Sequence, residues 1–375
     1  MNFVVSSTDL LNHLQAIAKV ISSKNTLPIL DNFLFELKGN VLTITASDLE
    51  TTLVTSMEVD NAEGEGVIAV DARRLLKLKD TSEQPLTFNI NTESLSVDIL
   101  SESGKFTKVE QKGEDYPKHQ EIDDAQKTEI TLKSEALLSA INKTIFATAE
   151  DDLRPVMNGI LFAFSPDYLT AVASDAHKMV RYRRLDVKAD QEASFILPQK
   201  PAQMLKNLLP NDETEVKVTF DQQNAIIEFG NFLQVCRLVE GKYPNYEAVI
   251  PKDNPYKMTV DRLDLHNKLK MVSGYANPAS NLVKLSVAPN ELKVSAQDLD
   301  FSMSAFERLK CEYEGQEMEI GFKALFMIEI VANISSPDIF IELSDPSRAA
   351  LFLPVEKEDE NEDLLMLLMP MMVNQ

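Results

Sequence analysis

Three stretches of the sequence repeat one pattern, and this repeat limits the folds open to the chain more than any other feature. They are FVVSSTDLLNHL from Phe3, ITLKSEALLSAI from Ile130 and MTVDRLDLHNKL from Met258. Each reads as a short strand, a polar residue that can start a helix, and apolar residues at helical spacing. Their starts lie 127 and 128 residues apart in a chain of 375, which predicts three copies of one structural unit.

The elements downstream repeat in the same order. LTITASD, LTAVASD and LKVSAQD predict alternating strands that end at Asp48, Asp175 and Asp298. A second helix follows in each copy, and paired strands broken by turn residues close it, which indicates antiparallel sheet. The predicted fold class is α+β, with two helices packed on antiparallel sheet in each of three modules. We place the modules at 1–121, 128–250 and 256–375.

Composition narrows the function classes. The chain is 44% hydrophobic, has no long uncharged apolar run and lacks a signal peptide, so we expect a soluble cytoplasmic protein. Cys236 and Cys311 are too few for a disulfide framework, and the four histidines lack metal-ligand spacing. Glycine-rich phosphate loops are absent from the sequence. We therefore predict no metal and no cofactor.

One segment, Ser174-Asp175-Ala176-His177, contains the residue types of a Ser–His–Asp relay. Such a relay needs side chains that converge from separate segments, which neighbouring positions at a strand end do not provide. The third copy has Ala296-Gln297-Asp298 at the same place. We interpret the segment as a strand terminus and predict no catalytic residue.

The net charge of −22 argues against a nucleic-acid partner only if the charges are evenly spread. They are not: twelve Lys/Arg and only five Asp/Glu fall in the six predicted helical segments, which are 8–20, 72–80, 134–147, 199–208, 262–271 and 322–333. Two chains would supply twelve helices, and at roughly 10 Å per helix their inner wall would measure about 120 Å around. Such a ring would hold duplex phosphates without sequence preference. The alternative explanation is that exposed helix faces commonly carry lysine.

The C-terminus combines an acidic stretch, 356–363, with the apolar run Leu364–Met372. Part of the run is expected to be the last core strand. The methionines beyond it suit a groove that accepts several partner peptides. We expect the acidic stretch to be a mobile outer loop.

The chain resembles the bacterial sliding clamps, the beta subunits of the replicative DNA polymerase III. The resemblance covers the whole length and is carried by an ordered set of motifs: TLPIL (26–30), SDLE (47–50), NGILF (158–162), SDAHKM (174–179), KYPNY (242–246), EMEIGF (317–322) and MPM (369–371). It implies a DNA-clamp fold, a head-to-tail dimeric ring around duplex DNA, and a non-catalytic function in processivity. Implied partners are the polymerase, an ATP-driven clamp loader and repair proteins, which bind through short linear peptides.

The resemblance also implies functional residues. Lys24, Arg73, Arg154 and Lys200 correspond to DNA-facing positions, and Lys323 occupies the place of Arg73 and Lys200 in the third copy. Phe106 and Val272 correspond to dimer contacts. The peptide pocket maps to Met157, Ser174, Ala176, His177, Met179, Pro244, Val249, Leu367, Met369, Pro370, Met371 and Met372.

Two positions depart from the family pattern. Ala248 replaces a basic residue at the pocket edge, and Met372 follows the Met-Pro-Met motif where a basic residue is frequent. The sequence therefore predicts a pocket with its apolar anchors but without a basic side chain at either of these two rim positions. The alternative hypothesis is an acidic, repeat-built protein-interaction hub without a DNA role. Reversing the charges at Arg73, Lys200 and Lys323 separates the two, because only a clamp would then lose DNA retention.

Overall fold

The computed structural model describes residues 1–80, 83–123, 125, 127–151 and 153–373, and for residues 79 and 80 it describes the backbone alone. Two of the helix charges counted above, Lys79 and Asp80, therefore lie outside the described side chains. The described chain forms two compact units, 1–138 with 203–238, and 139–202 with 239–375.

The first copy begins with a strand that runs directly into a helix. Ser6 caps this helix, since its Oγ accepts a hydrogen bond from the Asp9 amide at 3.4 Å. The second predicted helix is a single α-turn that continues as a 3-10 helix over Leu76–Asp80. The elements are β1 Asn2–Ser6, α1 Ser7–Ala18, β2 Asn32–Lys38, β3 Val41–Ser47, β4 Thr51–Glu58, β5 Asp60–Glu63, β6 Gly66–Asp71, α2 Ala72–Leu75, β7 Pro85–Asn91, β8 Ser96–Leu100, β9 Lys105–Val109 and β10 Gln111–Lys112.

The second copy follows the same order of strand, helix, intervening strands, helix and closing strands, with four intervening strands where the first copy has five. The predicted helix at 134–147 is an α-helix whose last turn is a 3-10 helix, Ile145–Ala147. The elements are β11 Thr128–Lys133, α3 Ser134–Thr144, β12 Gly159–Phe164, β13 Leu169–Ser174, β14 Lys178–Arg184, β15 Ala193–Pro198, α4 Gln199–Leu208, β16 Glu215–Phe220, β17 Asn224–Phe229 and β18 Phe232–Arg237.

The third copy has five strands between its helices, like the first, and closes with three strands, like the second. Its first helix is capped by Asp261, whose carboxylate accepts from the Asp264 amide at 2.6 Å. The elements are β19 Tyr256–Asp261, α5 Arg262–Ser273, β20 Leu282–Ala288, β21 Glu291–Asp298, β22 Met303–Leu309, β23 Cys311–Glu314, β24 Met318–Lys323, α6 Ala324–Ala332, β25 Asp338–Leu343, β26 Ala350–Pro354 and β27 Glu362–Leu368. The predicted triplication and all six predicted helices are confirmed.

Each unit contains two antiparallel sheets. In the first unit the strand orders are β5-β1-β7-β8-β9 and β10-β6-β2-β3-β4-β18-β17-β16-β11. In the second unit they are β15-β12-β13-β14-β27-β26-β25-β19-β23 and β22-β21-β20-β24. Side chains that alternate along these strands build the apolar cores, as in β3, where Leu42, Ile44 and Ala46 are fully buried.

Both nine-stranded sheets join strands from neighbouring copies. In the first unit β4 pairs with β18, with Thr55 opposite Phe232 and Thr51 opposite Cys236. In the second unit β14 pairs with β27, with Lys178 opposite Leu368 and Arg184 opposite Glu362. We call the first ladder the neutral joint, since none of its paired residues is charged, and the second the charged joint. The compact units therefore cut through the second copy, and the predicted module boundaries stay predictions.

Candidate peptide, DNA and subunit sites

The turn after β13 places the residues of the SDAH segment. The carboxylate of Asp175 accepts hydrogen bonds from the amides of His177 and Lys178, at 2.9 and 2.8 Å. The hydroxyl of Ser174 donates to the Lys178 carbonyl at 3.0 Å. Ser174 and Asp175 thus bind backbone rather than the His177 ring, which agrees with a strand terminus. The turn needs a left-handed residue, and Ala176 takes that conformation with φ +74°.

An apolar cluster lies beneath this turn. Met179 of β14 and Leu367 of β27, which are opposite each other in the charged joint, are both buried in it. Tyr243 is also buried there, and burial raises the pKa of its phenol, so the ring stays neutral. The buried members are Val172, Met179, Ile196, Tyr243, Ala349, Leu351, Leu365 and Leu367. Partly buried apolar residues, among them Val156, Tyr246 and Ile250, pack around the cluster and can contact apolar side chains of a ligand.

Exposed residues form the rim of the cluster. Ala176, His177 and Pro244 are exposed, and Val249 is 55% exposed. The predicted pocket residue Met157 is buried but lies outside the cluster, whereas its neighbour Val156 packs against it.

The methionine tail runs along the same turn. The amide of Met369 donates to the His177 carbonyl at 2.8 Å, and the amide of Met371 donates to the Gly321 carbonyl at 2.8 Å. Pro370 and Met371 are half-buried, whereas Met372 is 92% exposed. The structure therefore brings the tail and the SDAH turn together, as the sequence predicts, and leaves methionine side chains at the surface.

Helix α6 contributes residues to this region that the sequence reasoning missed. The ring of Phe326 stacks on His177 with 6.0 Å between centroids. The ammonium of Lys178 lies 4.4 Å from the same ring and 2.6 Å from Glu329. Phe326 and Glu329 lie in the helix that follows the motif EMEIGF. Their position directly after a family motif was the sequence signal that could have identified them. Tyr243 and Tyr246, which belong to KYPNY, were missed in the same way.

Lys323 belongs to this neighbourhood as well. Its ammonium lies 4.4 Å from the Phe326 ring, and Gly321, two residues earlier, bonds to the tail. These contacts place Lys323 close to the methionine tail, and its DNA-facing role stays a prediction. Helix α6 presents an aromatic ring one turn after Lys323, whereas α2 has the short sequence Arg73-Arg74-Leu75.

The other predicted DNA-facing residues are all at the surface. Lys24 and Arg73 are exposed in the first unit, and Arg154 and Lys200 are exposed in the second. Arg154 bonds to Asp151 at 2.8 Å, so part of its charge is compensated within the chain. Exposure makes these cations accessible to phosphates, and their role stays a prediction.

Phe106 lies on the edge strand β9 and is 62% exposed. It borders a groove of about 580 Å³ that includes Leu75, Leu78, Val97 and Ile99. Lys108 lies on the same strand as Phe106 and pairs with Asp71 and Glu110 at 2.9 and 3.0 Å. An unpaired strand edge beside an apolar groove is a surface that another chain can extend.

The prediction for Val272 is corrected. Leu265, Leu269 and Val272 form the buried stripe of α5, and Val272 has no exposed surface. A side chain enclosed in its own domain cannot contact a partner. Met271, the residue before Val272, is 62% exposed and lies on the outer face of the same helix.

Comparison with known proteins identifies the family. Models of the N-terminal, central and C-terminal domains of the DNA polymerase III beta subunit match residues 1–120, 131–245 and 247–372. The chain belongs to the DNA polymerase III beta subunit family. Its function is that of a sliding clamp, a processivity factor, and this decides against the hub hypothesis. Within the described residues, no helix is long and apolar enough to cross a membrane.

Several relatives match along nearly all or all of their length. The beta sliding clamp of Pseudomonas aeruginosa is 28% identical over 373 residues, 99% of this chain and 100% of that protein. The Escherichia coli clamp is 28% identical over 350 residues, 92% of this chain and 93% of its own. A crystal structure of the Pseudomonas aeruginosa clamp bound to griselimycin has a TM-score of 0.93 at 26% identity, with both chains fully covered. The Thermotoga maritima beta subunit, at 23% identity and a TM-score of 0.88, shares the fold.

Proposed function

We propose that two copies of this chain close head to tail into a ring around duplex DNA and hold partner proteins through short peptides, without a catalytic step of their own. Each copy contributes three domains with the boundaries 1–121, 128–250 and 256–375. Its partners are a DNA polymerase subunit, a clamp loader and repair proteins, and it works in the cytoplasm. The observation that carries the proposal is the apolar cluster beneath the SDAH turn, with the methionine tail beside it.

Ring closure is supported by two exposed edge strands that occupy different positions within the repeat. In the first unit β9 is an edge strand that exposes Phe106 and Val109. In the second unit β22 is an edge strand that exposes Met303 and Phe306. Two different edges pair heterologously, and two such contacts close a symmetric ring. The exposed Met271 of α5 replaces Val272 as the helix contact in this proposal.

The DNA role is supported by exposed cations, of which Arg73 and Lys200 lie in the predicted helical segments. Lys24, Arg73, Arg154 and Lys200 would hold phosphates without reading bases, since no base-reading pattern accompanies them. The test is retention of loaded protein on nicked circular DNA and its loss when the circle is linearised. A chain that stays monomeric at micromolar concentration, or leaves circular and linear DNA equally fast, contradicts the ring.

The peptide role is tested by fluorescence anisotropy with a labelled decapeptide that carries leucine and phenylalanine anchors. Met369→Ala and Pro370→Ala should each weaken binding by about 1–2 kcal/mol, the usual scale for a well-packed anchor contact. His177→Ala should weaken it as well, because its ring holds Phe326 beside the tail. The matched control is Val355→Ala, an exposed apolar residue of the second unit away from the turn. Unchanged affinity in all three variants contradicts the site.

A further inference from the structure

The sequence of β27 does not by itself determine how this strand pairs with β14. Its residues Leu364–Leu368 read Leu-Leu-Met-Leu-Leu, and all five are buried. Register is specified when a strand has one apolar and one polar face, which this run lacks. A slip of two residues would again place leucine or methionine opposite Met179 and Val180. It would also displace the methionine tail by about 7 Å along the strand, since each residue rises about 3.4 Å.

The charged end of the same ladder does distinguish registers. On the face of the apolar cluster, Arg181 bonds to Asp363 at 2.7 Å, and its side chain is largely buried. On the opposite face the hydroxyl of Tyr182 donates to Glu362, which also lies 3.7 Å from Arg184. In the native register Arg184 is opposite Glu362, whereas Arg181 is opposite Leu365 and reaches Asp363 diagonally. A slip that brings Met369 opposite Met179 would place Leu364 opposite Arg184 and Leu367 opposite Arg181, so both arginines would lose their carboxylates. A buried charge without its partner is strongly unfavourable, so the ion pairs select the native register over this slip.

Further contacts anchor the acidic stretch beyond the strand. Asp359 lies 3.3 Å from Arg184, and the Asn361 carbonyl accepts from the Leu185 amide at 2.9 Å. In the described ladder β26 pairs only with Met366–Leu368, so β14 is the strand that holds the charged end of β27. The expectation of a mobile outer loop over 356–363 is corrected in part: Asp359, Glu362 and Asp363 bind arginines, and Glu362 and Asp363 begin β27.

We propose that Arg181 and Arg184, with the carboxylates of Asp363 and Glu362, fix the register of β27 against β14 and thereby position the methionine tail in the peptide site. The inference deepens the proposed function and rests on the tail being part of that site. Arg181 and Arg184 are positioning residues, because they act on a ligand only through the strand that carries Leu367–Met372.

Cysteine cross-linking reads the register directly. In the native register Met179 is opposite Leu367, so the pair Met179→Cys/Leu367→Cys should form a disulfide on oxidation. The pairs Met179→Cys/Met369→Cys and Met179→Cys/Leu365→Cys report slips in the two directions. The native cysteines Cys236 and Cys311 are buried and do not compete. We expect only the native pair to cross-link in the otherwise unchanged chain, and a slipped pair to appear when Arg181→Met and Arg184→Met are added.

Peptide affinity is then measured in chains without the added cysteines, using the labelled decapeptide. We expect Arg181→Met/Arg184→Met to weaken binding by about tenfold or more. The charge swap Arg181→Asp/Asp363→Arg should restore both affinity and the native cross-link. The control Lys257→Met removes a cation from β19 of the same sheet and should change neither.

The outcomes separate the two proposals. An unchanged cross-linking pattern in the arginine variant overturns the register proposal, whatever the affinity. If that variant does not fold, the charge swap decides: a folded swap with a slipped cross-link or without peptide affinity also overturns it. If the unchanged chain does not bind the decapeptide, the proposed peptide site fails, while the cross-links still test the register.

Discussion

The neutral joint and the charged joint both connect neighbouring copies, but they use different side chains to do so. Both join a strand of one copy to a strand of the next by an antiparallel ladder. The neutral joint pairs Thr51–Thr55 with Phe232–Cys236, a mixture of polar, branched and aromatic residues that differ from position to position. The charged joint has a uniform apolar run at one end and arginine–carboxylate pairs at the other.

The two joints differ in their side chains because they lie beside different parts of the molecule. Burial raises the pKa of Cys236 in the neutral joint to about 12, so the thiol there is un-ionised and the ladder is held without charge. The charged joint continues into the methionine tail, which we propose offers apolar side chains to ligands, and such a tail cannot also encode its own register. In this proposal charges at the far end of the strand supply that information, at the cost of burying arginines.

Arg184→Met should have the largest effect and would break the charged joint. The Arg184 side chain is only 5% exposed and contacts Asp186, Asp359 and Glu362. Removing it leaves partly buried carboxylates uncompensated, and we expect a loss of about 3–5 kcal/mol in the free energy of unfolding. Urea denaturation at neutral pH measures it.

The matched control for this substitution is Arg308→Met. Arg308 pairs with Glu291 at 3.3 Å, but both side chains are more than half exposed. An exposed pair contributes about 0–1 kcal/mol. Equal losses in the two variants would show that the charged joint is held by its apolar run alone.

Val235→Ala tests the neutral joint, where packing rather than charge should dominate. Val235 is buried opposite Thr52, and removing two methyl groups should cost about 2 kcal/mol. Because no charge is involved, the loss should be the same in dilute buffer and at about 1 M salt, where charges are screened within about 3 Å. A loss that falls with salt would contradict the packing explanation.

Much of this arrangement could be predicted from the sequence, because it depends on local patterns. The three copies and the six helices follow from periodicity and motif order, and the meeting of the SDAH turn with the tail is what the family resemblance implies. The error at Val272 was avoidable, since Leu265, Leu269 and Val272 have the spacing of a buried helical stripe.

The joints could not be predicted in the same way, because they pair residues that are more than 170 positions apart. Composition makes 356–363 resemble a solvated acidic loop. The sequence signal for a partner of this stretch was KMVRYRR, a strand with three arginines, because a buried arginine requires an acidic partner. Only the ladder shows that these two segments meet.

Acidification should destabilise the neutral joint and the region of the charged joint in different pH ranges. His13 of α1 hydrogen-bonds Thr55 at 2.6 Å and stacks on Phe232, both in the neutral joint. Burial lowers the pKa of His13 below 6.5, against the opposing charge of Asp9. The folded state therefore resists protonation, and stability at this joint is present above pH 6.5 and declines as the pH falls below it.

The acidic stretch beside the charged joint should respond only in stronger acid. Burial acts to raise the pKa of Glu358, but its bond to Lys143 outweighs burial and lowers the pKa below 4.5. Its contribution is therefore present above pH 4.5 and lost as the pH falls further. Urea midpoints between pH 7 and 4 check the order, and in His13→Gln the decline below pH 6.5 should be smaller. The same decline in wild type and variant would assign it to other groups.

Lys143→Met should have the smallest effect and defines where the charged joint ends. Lys143 of α3 bonds to Glu358 at 3.0 Å and to the Ser335 hydroxyl at 2.7 Å, but the Glu358 side chain is 56% exposed. Solvent screens such a pair, so we expect a loss below about 1 kcal/mol that shrinks further at high salt. Lys133→Met, which removes the exposed pair with Glu213, is the matched control. If Lys143→Met instead cost as much as Arg184→Met, the network that fixes β27 would extend along the acidic stretch to helix α3, and the register would depend on the hairpin as a whole.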